Sequence, residues 1–134
     1  VVEEFGYEMY MHCGAIRKVL LAWQTPTFID EYFKTIIIHD QAFPHVRPDD
    51  LRGELKKIRQ EGYAITRGEY VNDAVGIGAP VFNSEGELAG SIGIIAPEIR
   101  IDTPEFLATQ RDLVQFYASA LSSDLGYEKH DVFQ

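Results

Sequence analysis

The chain of 134 residues has a single cysteine, Cys13, and no long apolar run. One cysteine excludes an intrachain disulfide, and this favours a reducing compartment such as the cytoplasm. No apolar stretch approaches the roughly 20 residues that a membrane-spanning helix needs, so we expect no membrane association. The first residue is Val1 rather than methionine, and we therefore expect a fragment of a longer protein.

Basic residues are also scarce. The chain has 12 lysines and arginines against 21 aspartates and glutamates, which gives a net charge of −9. Proteins bind DNA largely by neutralising phosphates with clustered Lys and Arg side chains. The sequence contains no such cluster. We therefore expect this chain not to bind DNA by itself.

Four segments have the apolar spacing and the end signals of helices. Their predicted boundary residues are Gly14 for the first helix, Thr25 and Pro26 for the second, Pro48 and Gly62 for the third, and Thr103 and Pro104 for the fourth. In the first helix, apolar residues recur at i, i+3, i+4 and i+7, while Arg17 and Lys18 lie off this stripe. The predicted apolar side of the last helix consists of Phe106, Leu113, Phe116, Tyr117 and Leu121.

Strands are predicted at YAIT (63–66) and in the hairpin VGIGAPVFNSEGELAGSIGII (75–95). The run TIII (35–38) also has the β-branched composition of a strand, and a loop-like segment follows it. Residues 1–11 are predicted to be partly extended. The order helix, helix, helix, strand, hairpin, helix indicates the α+β class, in which helices cover a mostly antiparallel sheet. Since strands and helices do not alternate regularly, a doubly wound parallel sheet is excluded.

Glycine occupies four strand positions of this hairpin, at Gly76, Gly78, Gly90 and Gly93. Each one costs about 0.5–1 kcal/mol relative to alanine. An even-length turn would pair position 76 with 93 and position 78 with 91. One face would then be lined by small residues, namely Gly76, Gly78, Ala89, Ser91 and Gly93. Two interpretations stay open: the missing side chains leave room for a small molecule, or they let a helix approach the sheet closely.

Three other classes of function compete with ligand sensing. An enzyme would use His12 and Cys13, but neighbouring helical residues point apart and cannot form a nucleophile–base pair. A metal site would gather His12, Cys13, His39 and His45, whose spacing matches no closed site. A module that only dimerises would need neither a catalytic pair nor a metal site. We expect no catalytic residues, no metal site and no cofactor.

Two segments carry a resemblance to a known family. MHCGAIRKVLLA (11–22) and LRGELKKIRQEGYAITRGEYVNDAVGIGAPVFNSEGELAGSIGIIAPEIRI (51–101) resemble the effector-binding domain of IclR-type transcriptional regulators. The resemblance implies a GAF-like fold, an antiparallel sheet flanked by helices, over a single domain at 1–134. It further implies a small organic effector, assembly into a dimer or tetramer, and DNA binding only through a separate winged helix-turn-helix. That amino-terminal domain, and the strands that precede His12 in the family, are absent from this sequence.

The resemblance also implies the positions of the effector site. Ala15 and Ile16 match backbone donors at the start of the first helix, where a carboxylate binds well because the N–H groups are free. The remaining implied positions are Thr66, Gly76, Gly93 and Ile95. Relatives that take small oxo-acids often carry acidic, cysteine or serine residues there, so we expect a roomier and less polar pocket. Such a pocket suits an aromatic or longer carboxylic acid.

Three other sequence features leave the interpretation open or bear on assembly. Glu69 matches a frequent family position, although a surface carboxylate would look the same. Arg17 replaces the family's usual glycine and would either add charge to the site or face solvent.

The aromatic-rich segments FLATQRDLVQFYASAL (106–121) and FIDEYF (28–33) offer more apolar surface than one small sheet needs, so we expect at least a dimer.

Overall fold

The computed structural model describes residues 10–38, 45–69, 72–101 and 103–128. Its helices are α1 (Ala15–Ala22), α2 (Pro26–Tyr32), α3 (Pro48–Glu61) and α4 (Pro104–Asp124). Its strands are β1 (Ala64–Arg67), β2 (Ala74–Phe82) and β3 (Leu88–Pro97). A π-helical turn (Phe33–Ile37) continues α2, and a 3₁₀ turn (Glu98–Arg100) follows β3. The predicted α+β class, an antiparallel sheet flanked by helices, is confirmed.

The predicted helix ends follow from local hydrogen bonding. The hydroxyl of Thr25 accepts from the Phe28 amide, and that of Thr103 accepts from the Phe106 amide. Each satisfies one of the backbone donors that a helix start leaves free. At the other end of α3, Gly62 adopts φ 81°, the left-handed conformation that glycine tolerates best.

The predicted strand at TIII (35–38) is wrong, because the chain stays helical to Ile37. Phe33 and Ile37, four residues apart, are both buried in the core beneath α1 and α3. Burial at this spacing stabilises a helix and outweighs the strand preference of the β-branched run. The predicted extended segment over 1–11 and the loop that holds His39 lie mostly outside the described residues.

The sheet has the order β1-β2-β3 and is antiparallel throughout. Gly76 pairs with Ile95 and Gly78 with Gly93, so the predicted register was wrong by two residues. The turn was wrong as well, since an odd number of residues separates Phe82 from its partner Leu88. Ala89 has no partner on β2, and this bulge restores the alternation of faces. Gly76, Gly78, Ser91 and Gly93 therefore share one face, as predicted, whereas Ala89 lies in the bulge.

Each face of the sheet is covered by different helices. We call the face that carries Gly76, Gly78 and Gly93 the glycine face; α1 lies on it, and α3 packs behind α1. The opposite face, which we call the packed face, buries Val75 and Ile77 against α4. The Ser122 hydroxyl of α4 accepts from the Phe82 amide at 2.9 Å, which fixes the helix to the sheet.

The apolar side predicted for α4 does not lie in the core of this chain. The residues that α4 buries are Val114, Ala118 and Ser122. Phe116 and Tyr117, by contrast, are 64% and 60% exposed. In the described part of the chain, no helix combines the length and the apolar composition needed to span a membrane.

Candidate functional site

The glycine face meets the first turn of α1 at close range. A methyl group at position 78 would lie 3.1 Å from the Ala15 carbonyl oxygen. One at position 93 would lie 2.9 Å from Ile16 Cγ1 and would also collide with the Ile77 carbonyl oxygen of the neighbouring strand. The Ser91 hydroxyl donates to the Ile16 carbonyl oxygen at 2.9 Å and holds α1 in place. Gly78 therefore serves the close approach of a helix to the sheet, the second of the two interpretations, whereas Gly93 is required chiefly by the backbone of β2.

Gly76 has a different neighbourhood, because a cavity of about 20 Å³ lies beside it. A volume of roughly 10–15 Å³ measured in this way is enough for one water molecule. The lining residues are Ala15, Ile16, Arg17, Thr66, Ala74, Gly76 and Ile95. Five of the six predicted effector-site residues are thus brought together at one place. The sixth, Gly93, lies next to the side chain of Ile16 and not in the cavity wall.

Polar groups in this cavity come from α1 and β1. Gly14 precedes α1, and no side chain caps the helix start. The backbone N–H groups of a first helical turn have no partner within the helix, and the helix dipole makes this end positive. On the opposite wall, Thr66 is 5% exposed. Its Oγ1 lies 3.1 Å from the place that a methyl group at position 76 would take, so it lies on the Gly76 side of β1. The arrangement is suited to an anion with one further acceptor or donor.

The sequence analysis placed Lys18 off the buried stripe, and this was wrong. Lys18 is 1% exposed, and its Nζ donates to both carboxylate oxygens of Glu54, at 2.8 and 2.9 Å, and to Glu69 Oε2 at 2.7 Å. A buried ammonium group is tolerated when carboxylates pair with it. Periodicity alone could not identify this lysine as buried, and the family position matched by Glu69 was the available signal for one of its partners.

The sequence left open whether Glu69 is a family site residue or an ordinary surface carboxylate. Its Oε1 accepts from the Gly14 amide at 3.2 Å, directly before α1. The side chain is 22% exposed and bonded at both oxygens, so it is not a free surface carboxylate. Arg17 lines the cavity and is half-buried.

His12 and Cys13 are buried but do not face each other in a catalytic arrangement. His12 Nδ1 lies 2.9 Å from the Tyr32 hydroxyl, while the Cys13 thiol donates to the Glu69 carbonyl oxygen at 3.1 Å. Burial raises the pKa of the Cys13 thiol, which keeps it protonated and a poor nucleophile. Within the described residues, no three His, Cys, Asp or Glu side chains are placed to hold a metal ion.

Larger hollows lie elsewhere on the molecule. One of about 340 Å³ lies between α2 and α3, and one of about 410 Å³ lies between α3 and α4. Neither contains a predicted effector-site residue. A third, of about 300 Å³, lies between β3 and α4 and is bordered by the apolar Ile92, Ile94, Leu113 and Tyr117.

Comparison with family models matches residues 1–123 to "Bacterial transcriptional regulator IclR C-terminal". The chain is 31% identical over 99 residues to RhmR, an uncharacterized HTH-type transcriptional regulator of Escherichia coli (strain K12), covering 72% of this chain and 38% of that protein. It is 30% identical over 123 residues to the HTH-type transcriptional regulator KipR of Bacillus subtilis (strain 168), covering 91% and 49%. The chain therefore spans half or less of the length of these relatives.

Solved structures give the same result for the fold. The Thermotoga maritima IclR structure superposes with a TM-score of 0.80 at 26% identity, over 95% of this chain and 51% of that one. The Agobacterium tumefaciens repressor BlcR also gives a TM-score of 0.80, at 23% identity, over 96% of this chain and 51% of that one. RhmR and KipR are HTH-type transcriptional regulators, which agrees with the expectation that this chain is not an enzyme.

Proposed function

Because this chain belongs to the IclR family of bacterial transcriptional regulators, as a C-terminal domain of that family, we propose that it is the effector-sensing and oligomerisation domain of a longer regulator. The site is the cavity between α1 and the glycine face. The effector is a small organic carboxylic acid, and its binding controls DNA binding by a separate amino-terminal domain. We place this regulator in the cytoplasm.

The strongest support is the meeting of two kinds of polar group in one cavity. The amino end of α1 supplies the N–H groups of Ala15 and Ile16, which favour a carboxylate because the helix dipole is positive there. The buried Thr66 hydroxyl faces them from β1. It would accept from or donate to a second polar atom of the effector.

The remaining walls determine which acids fit. Gly76, Ala74 and Ile95 are small or apolar, so they favour an aromatic or longer carboxylic acid over a two-carbon one. Ligand pockets usually have volumes of about 300–1,000 Å³, whereas this cavity holds about 20 Å³. Binding therefore requires α1 to separate from the ends of β1 and β2.

Calorimetric titration tests this site with benzoate as the probe. Glyoxylate serves as the two-carbon comparison, and benzyl alcohol has nearly the shape of benzoate without its charge. We expect benzoate to bind more tightly than either. Thr66→Val, which keeps the side-chain shape but removes the hydroxyl, should weaken benzoate binding about tenfold, or 1.4 kcal/mol. Equal binding by wild type and Thr66→Val, or no preference for the acid, would contradict the proposed site.

For oligomerisation, the support is the exposed apolar surface formed by α4 and β3. We call it the α4 surface, and it consists of the exposed Leu113, Phe116 and Tyr117 together with the half-buried Ile92 and Ile94 beside them. Large exposed apolar surfaces usually mark interaction sites. The occupant is a second copy of this chain, which gives a dimer or a tetramer. The net charge of −9 is consistent with DNA binding by the separate domain and not by this one.

A further inference from the structure

Glu69 joins the loop between β1 and β2 to the start of α1 by three hydrogen bonds. The Cys13 thiol donates to its carbonyl oxygen at 3.1 Å. The Gly14 amide donates to Oε1 at 3.2 Å, and Lys18 Nζ donates to Oε2 at 2.7 Å. Glu69 thus contacts Cys13 before α1, the N-cap residue Gly14 and Lys18 at the end of the first turn.

These hydrogen bonds join the two parts of the molecule that form the cavity walls, namely the start of α1 and the adjacent ends of β1 and β2. Thr66 near the end of β1 and Ala74 at the start of β2 form one wall, and both flank the loop that carries Glu69. Ala15, Ile16 and Arg17 at the start of α1 form the opposite wall. While Glu69 holds the loop against α1, the two walls stay at their present separation and the cavity stays at about 20 Å³.

The charges around Glu69 determine what is lost when this contact opens. Lys18 is buried and carries two carboxylates, Glu54 from α3 and Glu69 from the loop. When Glu69 leaves, Glu54 still pairs with Lys18. The amino end of α1, however, loses the negative charge that Glu69 places next to Gly14. An arriving carboxylate replaces that charge, whereas a neutral molecule of the same shape does not.

We propose that Glu69 holds the effector cavity closed, because its carboxylate must leave the start of α1 before a ligand can enter. This inference rests on the proposed function, since the cavity that opens is the proposed effector site. Glu69 acts as a positioning residue.

Amide hydrogen exchange of Glu69→Gln tests the closing role without any effector. The variant keeps an oxygen that can accept from Gly14 but loses the charge that binds Lys18. We expect exchange at residues 14–16 to rise at least tenfold, with exchange in β2 and α4 unchanged. Glu98→Gln is the matched control, because it removes an exposed ion pair to Arg67 at the same end of β1. This control should leave exchange at residues 14–16 unchanged.

A second variant distinguishes loss of the Glu69 contact from loss of the fold. Glu69→Asp keeps the charge but is one methylene shorter, so it cannot reach both Gly14 and Lys18, and it should raise exchange at residues 14–16 to a smaller extent. Uniform acceleration across the whole chain, or no change at residues 14–16, would overturn the proposal. So would a change in the Glu98→Gln control as large as in Glu69→Gln.

Benzoate titration of Glu69→Gln tests the closing role by binding. We expect benzoate and benzyl alcohol both to gain affinity, benzoate three- to tenfold over wild type, because neither ligand has to displace the Glu69 carboxylate. An affinity for benzoate equal to or lower than that of wild type would overturn the closing role. If benzoate binds to no variant while exchange at residues 14–16 still rises locally, the proposed effector class fails but the closing role of Glu69 stands.

Discussion

The two faces of the sheet are built in opposite ways. On the packed face, Val75 and Ile77 are fully buried against Val114 and Ala118 of α4. On the glycine face, three strand positions have no side chain at all, and α1 contacts backbone. The glycine face also has a cavity, a buried hydroxyl and free helix donors. We infer that the packed face supplies stability, while the glycine face gives up apolar packing to provide a site that can open.

Gly93→Leu should have the largest effect on stability. Its first side-chain carbon would collide with the Ile77 carbonyl oxygen and lie 2.9 Å from Ile16 Cγ1. Because a backbone atom cannot move aside easily, the loss should exceed the about 1–3 kcal/mol typical of over-packing. A thermal melt measures it.

Gly90→Leu is the matched control on the same strand, since nothing lies within 4 Å of an added side-chain carbon there. Its melting temperature should hold or rise, because strands favour leucine over glycine. Equal losses for the two variants would show that the close contacts with Ile77 and Ile16 do not explain the glycine at position 93.

Ile77→Ala tests the stabilising role of the packed face. Ile77 is 0% exposed, so its truncation should lower the free energy of unfolding by about 2–5 kcal/mol. Ile95→Ala removes the same atoms from a half-buried position beside the cavity, and it should cost about 1 kcal/mol. Urea denaturation compares the pair. A larger loss for Ile95→Ala would reverse the roles assigned to the two faces.

Gly76→Leu should have a smaller effect on stability than Gly93→Leu but a clear one on binding. An added side-chain carbon would lie 3.1 Å from Thr66 Oγ1 and 3.4 Å from Ala15 Cβ, and neither atom is backbone. Leucine exceeds the closed cavity, so we expect a loss of about 1–3 kcal/mol. Benzoate affinity should fall at least tenfold, about 1.4 kcal/mol. Unchanged affinity in calorimetry would move the site elsewhere.

Phe116→Ser should have the smallest effect on the free energy of unfolding of one chain, within about 0.5 kcal/mol, as at most surface positions. The side chain is 64% exposed on the α4 surface. Sedimentation velocity should nevertheless show weaker self-association than wild type. Lys57→Ser, at an exposed position of α3 on the other side of the sheet, should sediment like wild type. Unchanged association of Phe116→Ser would exclude the α4 surface as the interface.

Local signals predicted much of the fold. Thr25 and Thr103 at helix starts and Gly62 at a helix end act through their own backbone or their nearest neighbours. The helical turn at Phe33–Ile37 could not be predicted in this way, because packing against distant residues determines it. The bulge at Ala89 likewise depends on pairing across the hairpin.

The candidate site was predictable in part. Family positions identified five residues that line one cavity, but they gave neither its closed size nor the packing role of Gly93. Lys18 was missed because its hydrophilic side chain conceals its burial from any apolar pattern. Its partners Glu54 and Glu69 are 36 and 51 residues away along the chain.

Amide NMR of the chain during titration with benzoate tests the central claim most directly. If the acid binds between α1 and the glycine face, the largest shift changes should occur at Ala15, Ile16 and Thr66, and the amides of β2 that face α4 should move little. Changes centred instead on Leu55 and Arg59, which border the hollow between α2 and α3, or the absence of any saturable change, would contradict the assignment of the glycine face as the sensing face.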